Sequence, residues 1–267
     1  MVDRTTCSAL NALLIDLDGV VYTGDTPIPG APDFFRYLTE SGRRFQCITN
    51  NSTLTAEQYA QKLTGMGIAV EPEQVLTSSQ ATAVYLRQRF PPGTPVLPIG
   101  EQGLLRALLS QGFRLTERAP EVVVCGLDRR LTYDRLRQAC AAIRAGAPLV
   151  GTNPDLALPT EAGFLPGNGA VLAYLQAATG VAPTVIGKPQ ATMLQVAMER
   201  LGVTPAETGI VGDGLLTDIL AGSRAGVTTI LVLTGVSRRD DLPSAPARPD
   251  FVFDDLPALQ EALHRGH

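Results

Sequence analysis

The first legible feature of the chain is a short apolar run, Ala12 to Ile15, that stops at an acid, Asp16. A run of that length bounded by polar residues predicts a buried strand. Pro27 to Gly30 reads as a turn, and apolar positions then take helical spacing over Ala31 to Ser41, closed by Gly42. Phe45 to Ile48 predicts a second strand. Thr55 to Met66 predicts a helix with Tyr59, Leu63 and Met66 on one stripe. Val75 to Thr77 reads as a strand and Gln80 to Phe90 as a helix. After Pro91 to Pro98 the pattern starts again, with strands at 96–99, 122–125 and 149–151 and helices at 101–110, 133–145 and 170–179. From Thr184 it returns to strands at 185–186, 209–211, 228–233 and 251–253. A helix at 191–201, one running to Ala225 after Asp218, and one at 257–264 alternate with them.

Strands alternating with helices imply right-handed crossovers and a parallel sheet covered on both faces, an α/β fold with a Rossmann-like core. The restart near residue 82 divides the chain. Residues 1–81 and 184–267 are expected to form one core, and 82–183 a second, smaller α/β domain inserted into it.

Composition narrows the classes. Apolar residues are 45% of the 267 and charged residues 18%, as in a globular protein. The net charge of −4 and the lack of any basic block argue against a nucleic-acid partner, and no stretch approaches the ~20 apolar residues of a membrane span. Four cysteines (Cys7, Cys47, Cys125, Cys140) without metal or redox spacing suit a reducing cytoplasm. The two histidines, His264 and His267, fall in the last four residues and read as a frayed tail, which removes imidazole chemistry from consideration. Lysine is rare: only Lys62 and Lys188 against 20 arginines. Lys62 reads as a solvent-facing helical residue, whereas Lys188 lies in Ile-Gly-Lys-Pro between turn-formers. The inserted segment carries ten Arg, no Lys and seven acids, a net of +3 against −7 elsewhere. A cationic lid over an acidic base suits an anionic substrate.

Four polar clusters stand at ends of expected strands or just before a helix, the edge where open α/β sheets bind ligands. They are Asp16 with Asp18, Thr49 with Asn50, Lys188, and Asp213 with Asp218. Asp16 and Asp18 stand two apart at a strand end, so both reach one small volume, and Gly19 lets the backbone turn there. Carboxylates that close repel unless a cation or shared proton relieves them, and oxygen-only ligands favour a hard ion such as Mg²⁺. Each cluster also has a structural alternative: a solvated acidic junction, a helix cap, a surface lysine, an Asp-Gly turn.

The ordered set Asp-Leu-Asp-Gly-Val, Ile-Thr-Asn-Asn-Ser, Gly-Lys-Pro and Gly-Asp-Gly-Leu-Leu-Thr-Asp resembles the haloacid dehalogenase-like superfamily of phosphohydrolases. Within it, Val122 to Arg129, Thr152 to Asp155 and Pro166 to Gly169 are similar to the nitrophenylphosphatase and pyridoxal-phosphatase-like branch, which carries a large inserted α/β cap. The resemblance covers essentially the whole chain. It implies Asp16 as a nucleophile that becomes an aspartyl-phosphate, and Asp18 as the acid and then the base. It implies Mg²⁺ held by Asp16, the Asp18 carbonyl and Asp213, with Asp218 in support. Thr49, Asn50 (through its amide) and Asn51 would hold phosphoryl oxygens, and Lys188 would neutralise charge.

Two residues depart from the pattern. Gly214 stands where many relatives carry a larger or charged residue, and Leu158 where pyridoxal-phosphatase relatives place a polar side chain. The resemblance implies a small phosphorylated metabolite as partner, with no nucleic acid and no membrane, and allows a homodimer. Phosphomutase-type transfer shares both acids, and a phospho-accepting signalling module shares Asp, Thr, Lys and Mg²⁺. Both readings stand at this point.

Overall fold

A computed structural model describes residues 7–160 and 163–264. The chain forms two compact units: Met1–Thr49, Ala56–Leu76 and Lys188–His267 make the first, Asn50–Thr55 and Thr77–Gly187 the second. In chain order the elements run β1 (Ala12–Asp16), β2 (Tyr22–Thr23), β3 (Thr26–Pro27), α1 (Ala31–Glu40), β4 (Arg44–Thr49), α2 (Ala56–Gly65) and β5 (Val75–Thr77). They continue with α3 (Ser78–Arg87), β6 (Pro95–Ile99), α4 (Gln102–Ser110), β7 (Arg114–Leu115), β8 (Val122–Cys125), α5 (Tyr133–Arg144) and β9 (Leu149–Gly151). A hairpin of β10 (Ala157–Thr160) and β11 (Gly163–Pro166) leads to α6 (Asn168–Thr179), β12 (Thr184–Val185) and α7 (Thr192–Leu201). The chain closes with β13 (Thr208–Gly212), α8 (Leu220–Ala225), β14 (Thr228–Val232), β15 (Phe251–Phe253) and α9 (Leu256–His264).

The first sheet has the order β15-β14-β13-β1-β4-β5. β1 pairs parallel with β4 and β13, β13 with β14, and β14 with β15. All five residues of β1 are buried, as its unbroken apolar run requires of a central strand. Chain order reverses at β1: β4 and β5 lie to one side, β13 to β15 to the other. The carboxyl ends of β1 and β13 therefore flank the switch point, where such sheets open a crevice. α1 turns Phe34, Phe35 and Leu38 inward at helical spacing, and each such side chain contributes about 1.5–3 kcal/mol on burial.

His264 is not a frayed tail. It ends α9, and its ring packs 4.3 Å from that of Tyr37 on α1; His267 lies outside the described residues.

The second unit has its own parallel sheet, β12-β9-β8-β6-β7, with a core of Leu97, Val123, Leu149, Leu172 and Leu175 among α5, α6 and the strands. The expected boundary at 81/82 falls inside α3, a single continuous helix. That helix starts at Ser78 because Thr77 and Gln80 form a capping box: Thr77 Oγ1 accepts from Gln80 N, and Gln80 Oε1 from Thr77 N. Among the described residues no helix is long and apolar enough to cross a membrane.

Candidate active site

β1 delivers Asp16, whose Oδ1 accepts a 2.8 Å bond from the Leu17 amide that fixes the carboxyl. The chain then folds back at once, with the amides of Val20, Val21 and Tyr22 all directed at the Leu17 carbonyl. Gly19 makes this possible at φ +81°. A Cβ there would collide with the Asp213 carboxylate, so both backbone conformation and space demand glycine. Thr234 Oγ1 donates to the Gly19 carbonyl at 2.7 Å.

β13 delivers Asp213 just past Gly212. Its Oδ2 accepts from the Val236 amide (2.7 Å) and its carbonyl from the Ser237 amide (3.2 Å), while Ser237 Oγ accepts from the Leu215 amide. The turn Thr234 to Ser237 after β14 thus grips both acid-bearing loops. Sequence reasoning missed it, although Thr-Gly-Val-Ser behind a β-branched strand is a turn signal.

From Leu215 to Ile219 the backbone forms one π-helical turn, a device common at functional sites. It brings Asp218 Oδ2 onto the Gly214 amide (3.1 Å) and Thr217 Oγ1 (3.0 Å). A Cβ on Gly214 would meet Thr217 Oγ1, so a larger residue at this departure from the family pattern requires the Thr217 side chain to shift. The side chain of the other departure, Leu158, lies outside the described residues.

Lys188, 2% exposed, joins the clusters. Its Nζ lies 2.7 Å from Asp16 Oδ1 and 2.6 Å from Asp218 Oδ1. Burial alone would lower its pKa, but the two carboxylates outweigh that and hold the ammonium charged. Burial pushes the Asp16 carboxyl well up, the neighbouring Asp218 adds to this, and Lys188 opposes it. Asp213 is pushed up to about 6, again by burial and then by Asp218. Desolvation also raises Asp18, against the pull of Lys62 and a bond from Tyr22. Thr49, buried at the end of β4, shares a hydrogen bond with Tyr59 of α2.

Carboxylate oxygens of Asp16, Asp213 and Asp218 lie within 4.8 Å of one another. Three desolvated carboxylates against one ammonium leave excess negative charge, which fits a divalent, oxygen-seeking cation. Both oxygens of Asp218 are engaged, whereas Asp16 Oδ2 and Asp213 Oδ1 are not used by the bonds above. Asp16 and Asp213 are therefore the better direct ligands, with Asp218 behind them.

The structure brings Asp16, Lys188, Asp213 and Asp218 into contact. The side chains of Asn50 and Asn51 have partners within the second unit. Asn50 Nδ2 donates to both oxygens of Asp155 (3.2 and 3.3 Å), and its carbonyl accepts from Ser78 Oγ and Asn153 Nδ2. Asn51 Oδ1 accepts from the amide and hydroxyl of Thr53. Lys62 is not the solvent-facing residue expected: it bonds the Gly24 carbonyl, pairs with Asp25 and lies over the Tyr22 ring.

A family model described as haloacid dehalogenase-like hydrolase matches residues 13–114, and a HAD-hydrolase-like model matches 185–259. The acid sugar phosphatase of Staphylococcus aureus is 43% identical over 246 residues, 92% of this chain and 95% of that protein. The crystal structure of a 4-nitrophenylphosphatase from Thermotoga maritima superposes with a TM-score of 0.92 at 37% identity, covering 96% of this chain and 98% of the other. A glycerol phosphate phosphatase from Mycobacterium tuberculosis, crystallised in complex with magnesium, gives 0.88 at 37% identity, covering 95% and 78%. The chain belongs to the haloacid dehalogenase-like hydrolases, among that family's phosphatases of the nitrophenylphosphatase-like branch. The reading as a phospho-accepting signalling module is thereby set aside.

Proposed function

We propose that the chain hydrolyses small phosphomonoesters with Mg²⁺, carrying the phosphoryl group transiently on Asp16. The observation that carries this reading is the buried Lys188 ammonium between Asp16, at the end of the central strand, and Asp218. A carboxylate can approach a phosphate dianion only where cations cancel the repulsion.

In the first step the Asp16 carboxylate attacks phosphorus, the bond to the ester oxygen breaks, and Asp18 gives that oxygen its proton. In the second, Asp18 takes a proton from water as the water attacks the phosphoryl group, releasing phosphate and restoring Asp16. Lys188 offsets the charge shared by nucleophile and phosphate. Thr49 and the Asn50 amide take phosphoryl oxygens, with Asn51 beside them. Mg²⁺ held by Asp16, the Asp18 carbonyl and Asp213, with Asp218 in support, would supply further neutralisation of the phosphoryl oxygens.

The relatives' names (a sugar phosphatase, a 4-nitrophenylphosphatase, a glycerol phosphate phosphatase) support a small phosphorylated metabolite as substrate. The second unit, Asn50–Thr55 with Thr77–Gly187, is read as the cap that selects it. Four free cysteines, three of them buried, fit a cytoplasmic setting.

The test is hydrolysis of 4-nitrophenyl phosphate and glycerol phosphate by the purified protein. Activity with Mg²⁺, lost on chelation and restored by added Mg²⁺, is expected. Hydrolysis indifferent to chelator would overturn the metal assignment, and no hydrolysis of any small monoester with Mg²⁺, Mn²⁺ or Co²⁺ would overturn the activity.

A further inference from the structure

Asp18 must move a proton in both steps of the reaction proposed above, yet its side chain keeps surface access and could rotate. Among the described residues one side chain hydrogen-bonds its carboxyl: the Tyr22 hydroxyl, donating to Oδ2 at 3.3 Å. Tyr22 is held for that task on every side. Its carbonyl accepts from the Gly19 amide at 2.9 Å, and its own amide bonds the Leu17 carbonyl. Its ring is 1% exposed, and its strand pairs Tyr22 with Pro27 and Thr23 with Thr26 in a two-residue hairpin.

Lys62 of α2 closes the arrangement. Its Nζ stands 4.2 Å from the Tyr22 ring centroid, donates to the Gly24 carbonyl at 2.8 Å and pairs with Asp25 Oδ1 at 3.3 Å. One ammonium thus clamps the hairpin turn and sits on the ring face, an attraction typically of ~0.5–2 kcal/mol. Arginine is the usual cation of this chain, at 20 against two lysines. A compact ammonium with rotatable donors suits a point shared by a ring face, a carbonyl and a carboxylate, where a planar fork would not.

We propose that Tyr22, pinned by Lys62, is a positioning residue for Asp18: its hydroxyl holds Oδ2 and so leaves Oδ1 to exchange the proton. The phenol proton stays on Tyr22 throughout. Oδ1 hands its proton to the leaving oxygen in the first step and receives one from water in the second. The proposal rests on the acid–base reading of Asp18. Precise placement of a proton donor matters most where the leaving group is poor, because an alkoxide needs the proton and 4-nitrophenolate hardly does.

The experiment measures kcat/KM with Mg²⁺ for 4-nitrophenyl, phenyl and glycerol phosphate. This quantity reports the steps through transfer to Asp16. Tyr22→Phe is expected to lose under about 2-fold with the nitrophenyl ester, rising to about 10-fold with glycerol phosphate, a fraction of full acid–base help. Asp18→Asn should show a steeper rise along the same series, and adding Tyr22→Phe to Asp18→Asn should change nothing further. A loss equal for all three esters in Tyr22→Phe, or an undiminished loss in the double variant, would overturn the positioning role while leaving the Asp18 reading intact. A flat response of Asp18→Asn itself would overturn both. Should Tyr22→Phe not fold, Lys62→Met carries the test, since that side chain is partly at the surface. A gradient of about 3-fold in the same direction supports the clamp, and a uniform loss overturns it.

Discussion

The two units bury polar side chains in opposite ways. Among the described residues every buried charged side chain (Asp16, Lys188, Asp213, Asp218) belongs to the first. The second buries neutral groups only, such as Ser52, Ser78, Thr152, Asn153 and Asn168. These are satisfied locally: Asn168 Nδ2 donates to the carbonyls of Cys125 (3.1 Å) and Asn153 (2.8 Å), and Ser52 Oγ accepts from the Leu127 amide. Both units place such groups beyond the ends of parallel strands, so topology does not separate them. Charge does. A buried neutral hydrogen bond holds a loop at little net gain, about 0.5–1.5 kcal/mol. A cluster of buried carboxylates is unfavourable until a cation completes it, so its presence marks chemistry.

Replacing the first unit's nucleophile should give the largest effect. Asp16→Asn is expected to lose more than about 10⁴-fold in kcat, since removing a covalent nucleophile leaves only binding and electrostatics. Steady-state assays after excluding deamidation check this, and substantial multiple turnover would break the contrast. Next comes the pair Lys188→Met and Asn168→Ala. The first strips the cation from two buried carboxylates and should cost about 3–5 kcal/mol in denaturant unfolding, along with activity. The second takes the Asn168 donor from the buried Asn153 carbonyl, costing about 1–3 kcal/mol, and should leave the metal requirement and kcat for 4-nitrophenyl phosphate nearly unchanged. Equal effects on catalysis from both would erase the distinction.

A subtler effect follows from Asp213. Its carboxyl, raised to about 6 by burial and Asp218, binds a proton more tightly in the folded than in the unfolded chain. The Asp213 contribution to metal-free stability should therefore fall as pH rises from about 4 through 6 and be lost above that window. Mg²⁺ needs the deprotonated carboxylate, so its stabilisation should be full above pH 6 and fade below it. Asp213→Asn should weaken both trends, leaving the share that the raised Asp16 and Asp18 carboxyls contribute, and raise the metal-free Tm near pH 7 by a few °C, roughly 2–4 °C per kcal/mol for a domain of this size. Thermal unfolding at several pH values, with and without Mg²⁺, reads this directly. Parallel curves for the two proteins would contradict it.

Much of the charged site was legible because it sits where local rules are strongest. The apolar run into Asp16, the acids two apart, and the only lysine between turn-formers are short-range patterns, and the α/β alternation set their order in space. What escaped depended on contacts distant in sequence. The Thr234 to Ser237 turn matters only because Val236 and Ser237 reach Asp213. The π-helical turn at Leu215–Ile219 reflects the bonds of Asp218, which no propensity encodes. Lys62 sits on a helical stripe that looks solvent-facing until the hairpin folds beneath it. Two misses did have local signals: the Gly24-Asp25 pair between Thr23 and Thr26, and the Thr77–Gln80 capping box that starts α3 early.

The central claim is that phosphate passes through Asp16 with the Asp18 side chain serving only the protons. Asp18→Asn keeps the nucleophile, Lys188 and the carboxylates of Asp213 and Asp218, so an activated ester should still load the enzyme while hydrolysis of the loaded form stalls. Mass spectrometry of Asp18→Asn, acid-quenched during reaction with 4-nitrophenyl phosphate and Mg²⁺, should find one phosphoryl group, on the peptide containing Asp16 and on that residue. Phosphate on a serine or threonine, or no covalent phosphate despite a burst of nitrophenol, would contradict the account.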